Sequence, residues 1–382
     1  MFVSLIGTWI QQVAQSWLVF QLTNSVFLLG VVGFLASIPI FFLSLFGGVA
    51  ADRLNKRNVL IVTQTAFMIL AFILAYLTQF KIVAPFHIMA IALLNGIVMA
   101  FDAPSRQAVV VELVGKKHLM NAIALNSVSF NSSRMIGPAI AGILVAVIGV
   151  SGCFYVNGIS FLAVILALFT IKLGSSVSKV KQESVLEDLA EGLHFIRRNR
   201  LIMALVTIVG ISSLFGISYA TLMPVFANDI LRVGVRGFGM LMSSSGVGAL
   251  ISALILARLG DFKYKGRLLV ASSFVFALSL IFFALSVNYY LSILILVFTG
   301  ASSVMAMALI NTLLQTVVSD NMRGRVMSLF MFTFAGLMPF GSLLSGALSQ
   351  WIGVSRTVLL CGIICFSFFA VINTLLPKLR DI

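Results

Sequence analysis

The amino-acid sequence predicts an all-α integral membrane protein whose twelve transmembrane helices form two pseudo-symmetric six-helix bundles. The composition, the apolar runs and the distribution of basic residues carry this prediction. Of the 382 residues, 60% are hydrophobic and 9% are charged, and the mean hydropathy is +1.14. A soluble domain averages about 45–50% apolar and about 25% charged residues. Such a chain needs lipid, rather than water, around most of its surface.

The apolar residues form twelve runs, each long enough to cross a bilayer. A transmembrane helix needs about 20 apolar residues, and these runs do not alternate as the strands of a membrane barrel do. The predicted spans are residues 1–22, 26–51, 58–80, 86–104, 120–145, 150–172, 201–227, 235–257, 267–287, 289–316, 325–348 and 353–376.

The basic residues are concentrated in every second gap between the runs. All but five of the 25 Lys and Arg residues lie in segments 53–57, 106–117, 172–200, 258–267, 323–325 and 378–380. Because loops rich in Lys and Arg stay in the cytoplasm, we expect a multi-pass protein of the plasma (bacterial inner) membrane with both termini cytoplasmic. The scattered basic segments favour contact with the lipid bilayer, and no basic patch indicates nucleic acid as a partner.

The longest gap divides the spans into six and six. We predict an N-terminal bundle over 1–172, a cytoplasmic linker over 173–200 and a C-terminal bundle over 201–382. Within the linker, Ser184 and Glu187 form a capping-box pattern before leucines at helical spacing, which predicts an amphipathic helix. The first span starts abruptly inside an apolar run, so we expect it to be truncated and to lack a short basic leader.

Two loops at matching places in the two halves have similar sequences. In each, a glycine near a helix end is followed by an aspartate and a basic turn. The residues concerned are Gly48, Asp52, Arg53, Lys56 and Arg57 between spans 2 and 3, and Gly260, Asp261 and Arg267 between spans 8 and 9. Repeated halves are typical of transporters that rock around a central site. We expect both loops to act as latches on the cytoplasmic side.

The first of these loops resembles the cytoplasmic loop signature of the major facilitator superfamily, with Asn55 in place of the usual glycine. Segments 101–107, 121–127, 134–142 and 322–328 resemble the branch of drug:proton antiporters that contains the enterobactin exporter and the macrolide efflux proteins. The resemblance extends from about residue 7 to residue 351. It implies the major facilitator fold and efflux of a bulky amphipathic molecule, with the proton gradient as energy source and no cofactor.

The residues Gly137, Pro138 and Gly142 resemble the motif that marks antiporters in this superfamily, although Ala141 stands where glycine is frequent. Proline removes a backbone donor and bends the helix, and small residues let a neighbouring helix approach. A packing bend without a role in antiport is the alternative interpretation.

Polar residues on spans 1, 4, 7 and 10 predict a central cavity, and the resemblance assigns those spans to the cavity wall. In span 1, Thr8, Gln11 and Gln15 lie on one helix face. Because unpaired polar groups are costly in lipid, these residues either bind substrate or bond between helices. The other candidates are Asn95, Asn126, Arg134, Tyr219, Asn311 and Gln315.

Arg134 lies well inside span 5, where a cation needs a partner or water. One hypothesis is that it binds an anionic group of the substrate or responds to proton transfer. The other is that it snorkels or holds spans 4 and 5 together through the acids nearest in sequence, Asp102 and Glu112.

The sequence contains no carboxylate in the middle third of any span. Asp102, which Arg106 follows at helical spacing, Glu112 and Asp229 are the candidates for coupling. Many relatives of the branch carry an aspartate after a glycine in span 1, where this chain has Thr8 after Gly7. Proton antiport therefore rests on the resemblance.

We expect a monomeric secondary-active exporter of a small molecule and no enzyme activity. The alternatives are an importer or a lipid or metabolite carrier of the same fold, a chain that does not transport, and, more remotely, a membrane-embedded enzyme. The enzyme hypothesis has little support because the three histidines, His87, His118 and His194, lie at span ends or in loops, outside any catalytic or metal-binding pattern.

Overall fold

The computed structural model describes residues 2–170, 185–260 and 262–381, and these residues form helices joined by short turns. Ser184 and Asp261, predicted to belong to the linker cap and the second latch, lie outside the described residues. The side chains of Asp52 and Glu187 lie outside them as well.

The N-terminal half contains six transmembrane helices. Helices 1, 2 and 3 are Phe2–Thr23, Val26–Arg53 and Lys56–Gln79. The next stretch, Pro85–Thr170, is helical except at Gly115 and Gly149, whose φ angles are 65° and 74°. These two glycines adopt a left-handed conformation that other residues rarely take, and they separate helices 4 (85–114), 5 (116–148) and 6 (150–170).

A linker helix, Val185–Arg198, leads into the C-terminal half. Helix 7 begins as Arg200–Ile211 and continues through irregular turns to Ile230. The remaining helices are helix 8, Gly234–Leu259; helix 9, Lys265–Leu285; helix 10, Tyr289–Val317; helix 11, Asp320–Ile352; and helix 12, Val354–Leu375. A short 3-10 turn, Pro377–Asp381, ends the described chain.

By length and composition, ten helices of the described chain can cross a membrane. One of these ten, Asn121–Thr170, is interrupted at Gly149 and therefore counts as two helices, helix 5 and helix 6. With helix 1, which packs against helices 5 and 6, the described bundle has twelve helices. The prediction of an all-α membrane protein is confirmed.

One predicted boundary is wrong. Span 4 was expected to end at residue 104, but helix 4 continues to Val114 and contains Pro104. An ion pair between Asp102 and Arg106 bridges the helical turn that holds this proline.

The bundle has two ends because successive helices run in opposite directions. The terminal face carries both ends of the described chain, Gly115, the linker helix and Gly260. The distal face carries residues 24–25, Gly149, residues 286–288 and Gly353.

The two halves pack closely near the distal face. A Cβ atom built on Gly30 of helix 2 would lie 3.0 Å from Cα of Gly346 in helix 11, and one on Gly239 of helix 8 would lie 3.0 Å from Cα of Gly142 in helix 5. Small residues permit such approaches between membrane helices. The Trp17 ring of helix 1 stacks on Phe238 with centroids 6.1 Å apart.

Toward the terminal face the halves separate. Every residue of helix 5 from 121 to 128 except Ala122 is exposed, whereas none from 131 to 142 is. Exposure of all sides of a helix means that no neighbour covers it. Leu254 of helix 8 and Phe46 of helix 2 are 57% and 62% exposed near the same face. The structure is therefore open toward the terminal face.

Candidate transport site

The polar residues that join the two halves meet at Arg134, where the exposed stretch of helix 5 ends. Nη2 of Arg134 donates a 3.2 Å hydrogen bond to Oγ of Ser245 on helix 8. The hydroxyl of Tyr219 on helix 7 donates to the same oxygen, also at 3.2 Å. We refer to Arg134, Tyr219 and Ser245 as the Arg134 cluster. It links helices 5, 7 and 8 near the middle of each helix.

Close packing of helices 5 and 8 positions the Arg134 cluster. A Cβ on Gly246 would lie 2.6 Å from the carbonyl oxygen of Arg134, so only glycine fits there without displacing the helix. One turn away, the Ser243 hydroxyl donates to the carbonyl of Met135. The run of serine and glycine in helix 8 therefore brings the backbone of helix 5 within hydrogen-bonding distance.

Tyr219 occupies an irregular part of helix 7. A π-helical turn, Ser212–Gly216, is followed by a 3-10 turn, Ile217–Leu222, which contains Tyr219. A second π-helical turn, Phe226–Ile230, ends the helix. Such turns change the direction in which side chains project and occur often at functional sites.

Arg134 does not pair with Asp102 or Glu112, the acids that are nearest in sequence. Asp102 interacts with Arg106 of its own helix, and Oε2 of Glu112 lies 3.2 Å from Nζ of Lys56 on helix 3. The alternative in which Arg134 holds helices 4 and 5 together through these acids has no supporting contact in the described structure, because its side chain reaches helix 8 in the other half.

Asp102 is fully buried and has three donor residues. Its carboxylate accepts from Oγ1 of Thr63 at 2.8 Å, from Nε2 of Gln64 at 2.7 Å and from Nε of Arg106 at 3.1 Å. Helix 3 supplies the first two donors and helix 4 the third, so the carboxylate ties these helices together. Asp229 is exposed near the distal face and accepts from its neighbour Asn228.

Gln11 is predicted as a cavity residue, but it bonds between helices. Its Oε1 accepts a 2.7 Å hydrogen bond from Nδ2 of Asn157 on helix 6, and both side chains are buried. A Cβ on Gly7 would lie 2.5 Å from Oδ1 of Asn157, so glycine lets the helices meet. Thr8 is exposed and Gln15 is half-buried. Asn157 was not predicted, since one asparagine in an apolar run has no distinguishing pattern.

The other cavity candidates lie apart from the Arg134 cluster. Asn95 of helix 4 is half-buried and Asn126 of helix 5 is exposed. On helix 10, Nε2 of Gln315 donates a 2.5 Å hydrogen bond to Oδ1 of Asn311. Asn126 and Gln315 are exposed and lie toward the terminal face.

Gly137 and Pro138, where the sequence predicts a bend, are buried. A Cβ on Gly137 would lie 2.5 Å from Cβ of Trp9 on helix 1, and one on Gly142 would lie 3.1 Å from the carbonyl of Val235 on helix 8. Gly137 and Gly142 thus adapt helix 5 to helices of both halves.

The first predicted latch loop contacts its own half. Nε of Arg57 donates to the carbonyl of Leu168 at 2.7 Å and Nη2 donates to that of Phe169 at 2.8 Å, so Arg57 caps the end of helix 6. Arg53 is exposed, and a Cβ on Gly48 would meet no atom within 4 Å.

In the second predicted loop, Gly260 has a φ of 58°, and the guanidinium of Arg267 lies 5.0 Å from the Tyr264 ring centroid. The linker helix docks nearby on helix 11, where Oε2 of Glu191 lies 2.7 Å from Nη1 of Arg325.

The chain is similar to membrane transporters over its full length. A family model described as "Transmembrane secretion effector" matches residues 1–382. The staphyloferrin A transporter of Staphylococcus aureus (strain NCTC 8325 / PS 47) is 31% identical, with 100% of this chain and 96% of the relative aligned. Macrolide efflux protein A of Streptococcus pyogenes is 23% identical, with 100% and 95% aligned.

The fold is that of solved transporters. A crystal structure of a D-xylose-proton symporter superposes with a TM-score of 0.79 at 12% identity, covering 100% of this chain and 98% of the symporter. These matches confirm the resemblance based on the loop and helix motifs. The chain belongs to the major facilitator superfamily, in the family described as transmembrane secretion effectors.

Proposed function

We propose that this member of the superfamily is a secondary-active exporter of amphipathic small molecules, drug-like or siderophore-like. It works as a monomer in the bacterial inner membrane, with the terminal face in the cytoplasm. The observation that carries the proposal is the asymmetric contact between the halves. Glycines join them near the distal face, and the helices separate toward the terminal face around the Arg134 cluster.

This arrangement favours alternating access. A molecule enters from the terminal face and reaches the Arg134 cluster, where the opening ends. The halves then rock, so that contacts such as Gly30 with Gly346 and Gly142 with Gly239 open while the terminal side closes. Such glycine contacts separate with little steric hindrance because they contain no interlocking side chains.

The direction and the type of substrate are supported by the relatives. The similar proteins include a staphyloferrin A transporter and a macrolide efflux protein. Both names describe transport of molecules, and the second describes efflux. The exposed or half-buried polar residues Thr8, Gln15, Asn126 and Gln315 suit a molecule with both polar and apolar parts.

We propose that export is driven by proton antiport, with the proton gradient as the energy source and no cofactor. Asp102 is fully buried and pairs with Arg106, while Asp229 is exposed at the opposite face. Asp102 is our first candidate for coupling and Asp229 the second.

Uptake into inverted membrane vesicles tests this proposal. A panel of dyes, macrolides and siderophores is offered with and without an acid-inside pH gradient, and vesicles without the protein serve as the control. We expect uptake that a protonophore abolishes. Transport in the opposite direction would support an importer. Uptake that is the same with and without the pH gradient would contradict proton antiport. Chemical alteration of the translocated compound would instead indicate an enzyme.

A further inference from the structure

The guanidinium of Arg134 has no counter-ion in the described part of the chain. Within that part, no carboxylate oxygen lies within 4 Å of its nitrogens. Four described acids pair with other cations: Asp102 with Arg106, Glu112 with Lys56, Glu191 with Arg325, and Asp320 with Arg323. Asp229 accepts from Asn228 near the distal face. A cation in the middle of a membrane helix is unfavourable unless water, protein or a ligand compensates its charge.

Most donors of Arg134 are not used by the protein. A guanidinium has five N–H groups, and in the described structure Ser245 accepts from Nη2 alone. None of the remaining donors is both fully buried and without a partner. The side chain is half-buried at the end of the exposed stretch of helix 5. It is therefore held on one side by Ser245 and open on the other.

The neighbouring groups favour a planar oxyanion. The guanidinium fork matches a carboxylate with two parallel hydrogen bonds. Ser245 accepts from both Arg134 and Tyr219, so the proton of its own hydroxyl remains available as a further donor beside the guanidinium. Ser245 and Tyr219 are 4% and 8% exposed. Gly246 and the bond from Ser243 to Met135 fix the helix backbone around the site. A preformed donor group of this kind binds an anion without reorganising the protein.

We propose that the transported molecules include amphipathic carboxylic acids, and that Arg134 binds their carboxylate between the two halves. This inference rests on the proposed function, because it names the chemical class of the substrate. The carboxylate lies against helix 5 of one half, with Tyr219 and Ser245 of the other half beside it. The apolar part of the molecule extends along the opening toward the terminal face.

Binding of a matched pair of probes tests the inference. Pyrenebutyrate carries one carboxylate, and pyrenebutyramide has the same shape without charge. Affinity for each is measured by fluorescence anisotropy with the purified protein in lipid nanodiscs, and signals from empty nanodiscs are subtracted. We expect the protein to bind the acid at least tenfold more tightly than the amide. Equal affinities would overturn the inference without any variant, as would binding of neither probe.

Substitutions then locate the site. Arg134→Gln should weaken binding of the acid at least tenfold and leave the amide unchanged, and Arg134→Lys should weaken it less. Arg356→Gln, at an exposed position near the distal face, removes the same charge elsewhere and should have no effect. Equal losses for both probes in Arg134→Gln, or no loss, would overturn the assignment. Binding is measured without a gradient, so failure of export in vesicles is distinguishable from failure of recognition.

Discussion

Asn157 of helix 6 donates a 2.7 Å hydrogen bond to Gln11 of helix 1, and both side chains are buried. The bond connects helix 1 with helix 6 of the same half. Gln11 therefore stabilises the N-terminal half and is unavailable to a substrate in this conformation.

The first prediction concerns this bond. Gln11→Ala leaves the Asn157 amide without its acceptor, and an unsatisfied buried group costs about 1–3 kcal/mol. We expect a lower thermal unfolding temperature in detergent with substrate affinity preserved. Gln12→Ala, at the adjacent exposed position, is the matched control and should unfold as the wild type does. Unchanged stability in Gln11→Ala would contradict a structural role.

The second prediction concerns Asp102. Asp102→Asn removes the negative charge that pairs with Arg106 and one acceptor for the donors of Thr63 and Gln64. Breaking a buried ion pair from one side costs about 3–5 kcal/mol. We expect a corresponding decrease in the free energy of unfolding, measured by chemical denaturation. Asp229→Asn should cost less than about 0.5 kcal/mol, because Asp229 is exposed. Equal effects of the two substitutions would refute the structural importance of the cluster.

The third prediction concerns the glycine contact near the distal face. Gly142→Val would place side-chain atoms against the backbone of Val235 and Arg236, so the halves could no longer close there. We expect the population to shift toward a conformation open at the distal face. A cysteine introduced at Leu125, which is 69% exposed, should then react more slowly with a water-soluble thiol reagent.

Gly324→Val provides the control for that experiment, because a Cβ at Gly324 meets no atom within 4 Å. The native thiols Cys153, Cys361 and Cys365 are buried and should contribute little background. A reaction rate that is identical in both variants would show that the glycine contact does not govern closure.

The fourth prediction concerns the first latch loop. Arg57→Gln removes the two bonds that cap helix 6, which should lower stability by roughly 1–3 kcal/mol. Arg53→Gln changes an exposed residue and should leave stability unchanged.

The latch function of the same loop is tested by transport. Asp52→Ala should impair transport while the protein remains in the membrane. Wild-type flux in Asp52→Ala would exclude a latch function.

The sequence predicts the helices better than it predicts their partners. Apolar runs and basic loops define the spans for two reasons. The bilayer thickness sets the length of a membrane helix, and loops rich in Lys and Arg stay in the cytoplasm. Helical spacing places Gln11 and Thr8 on one face, but it does not say which helix that face meets. Gly7 has no side chain, and this allows Asn157 of helix 6 to approach helix 1. Asn157 and its partner Gln11 are 146 residues apart in the sequence.

Arg134 illustrates the same difference. Its depth in the membrane indicated that it needs a partner, and the nearest acids in sequence were reasonable candidates. The observed contact, Ser245, is 111 residues away in the other half. The sequence feature that could have indicated this contact is the run of serine and glycine in helix 8. Such a run also occurs wherever membrane helices pack closely, so it does not identify Arg134 as the partner. The irregular turns of helix 7 were not predicted either, because their residues have no distinctive composition.

The single glycines at 115 and 149 have a mechanical consequence. Each joins two membrane-spanning helices without intervening loop residues, so these junctions have no slack. Helices 4, 5 and 6 can pivot at their ends, but they cannot slide past one another by a helical turn. A displacement of the distal end of helix 5 along its axis is therefore passed directly to the start of helix 6.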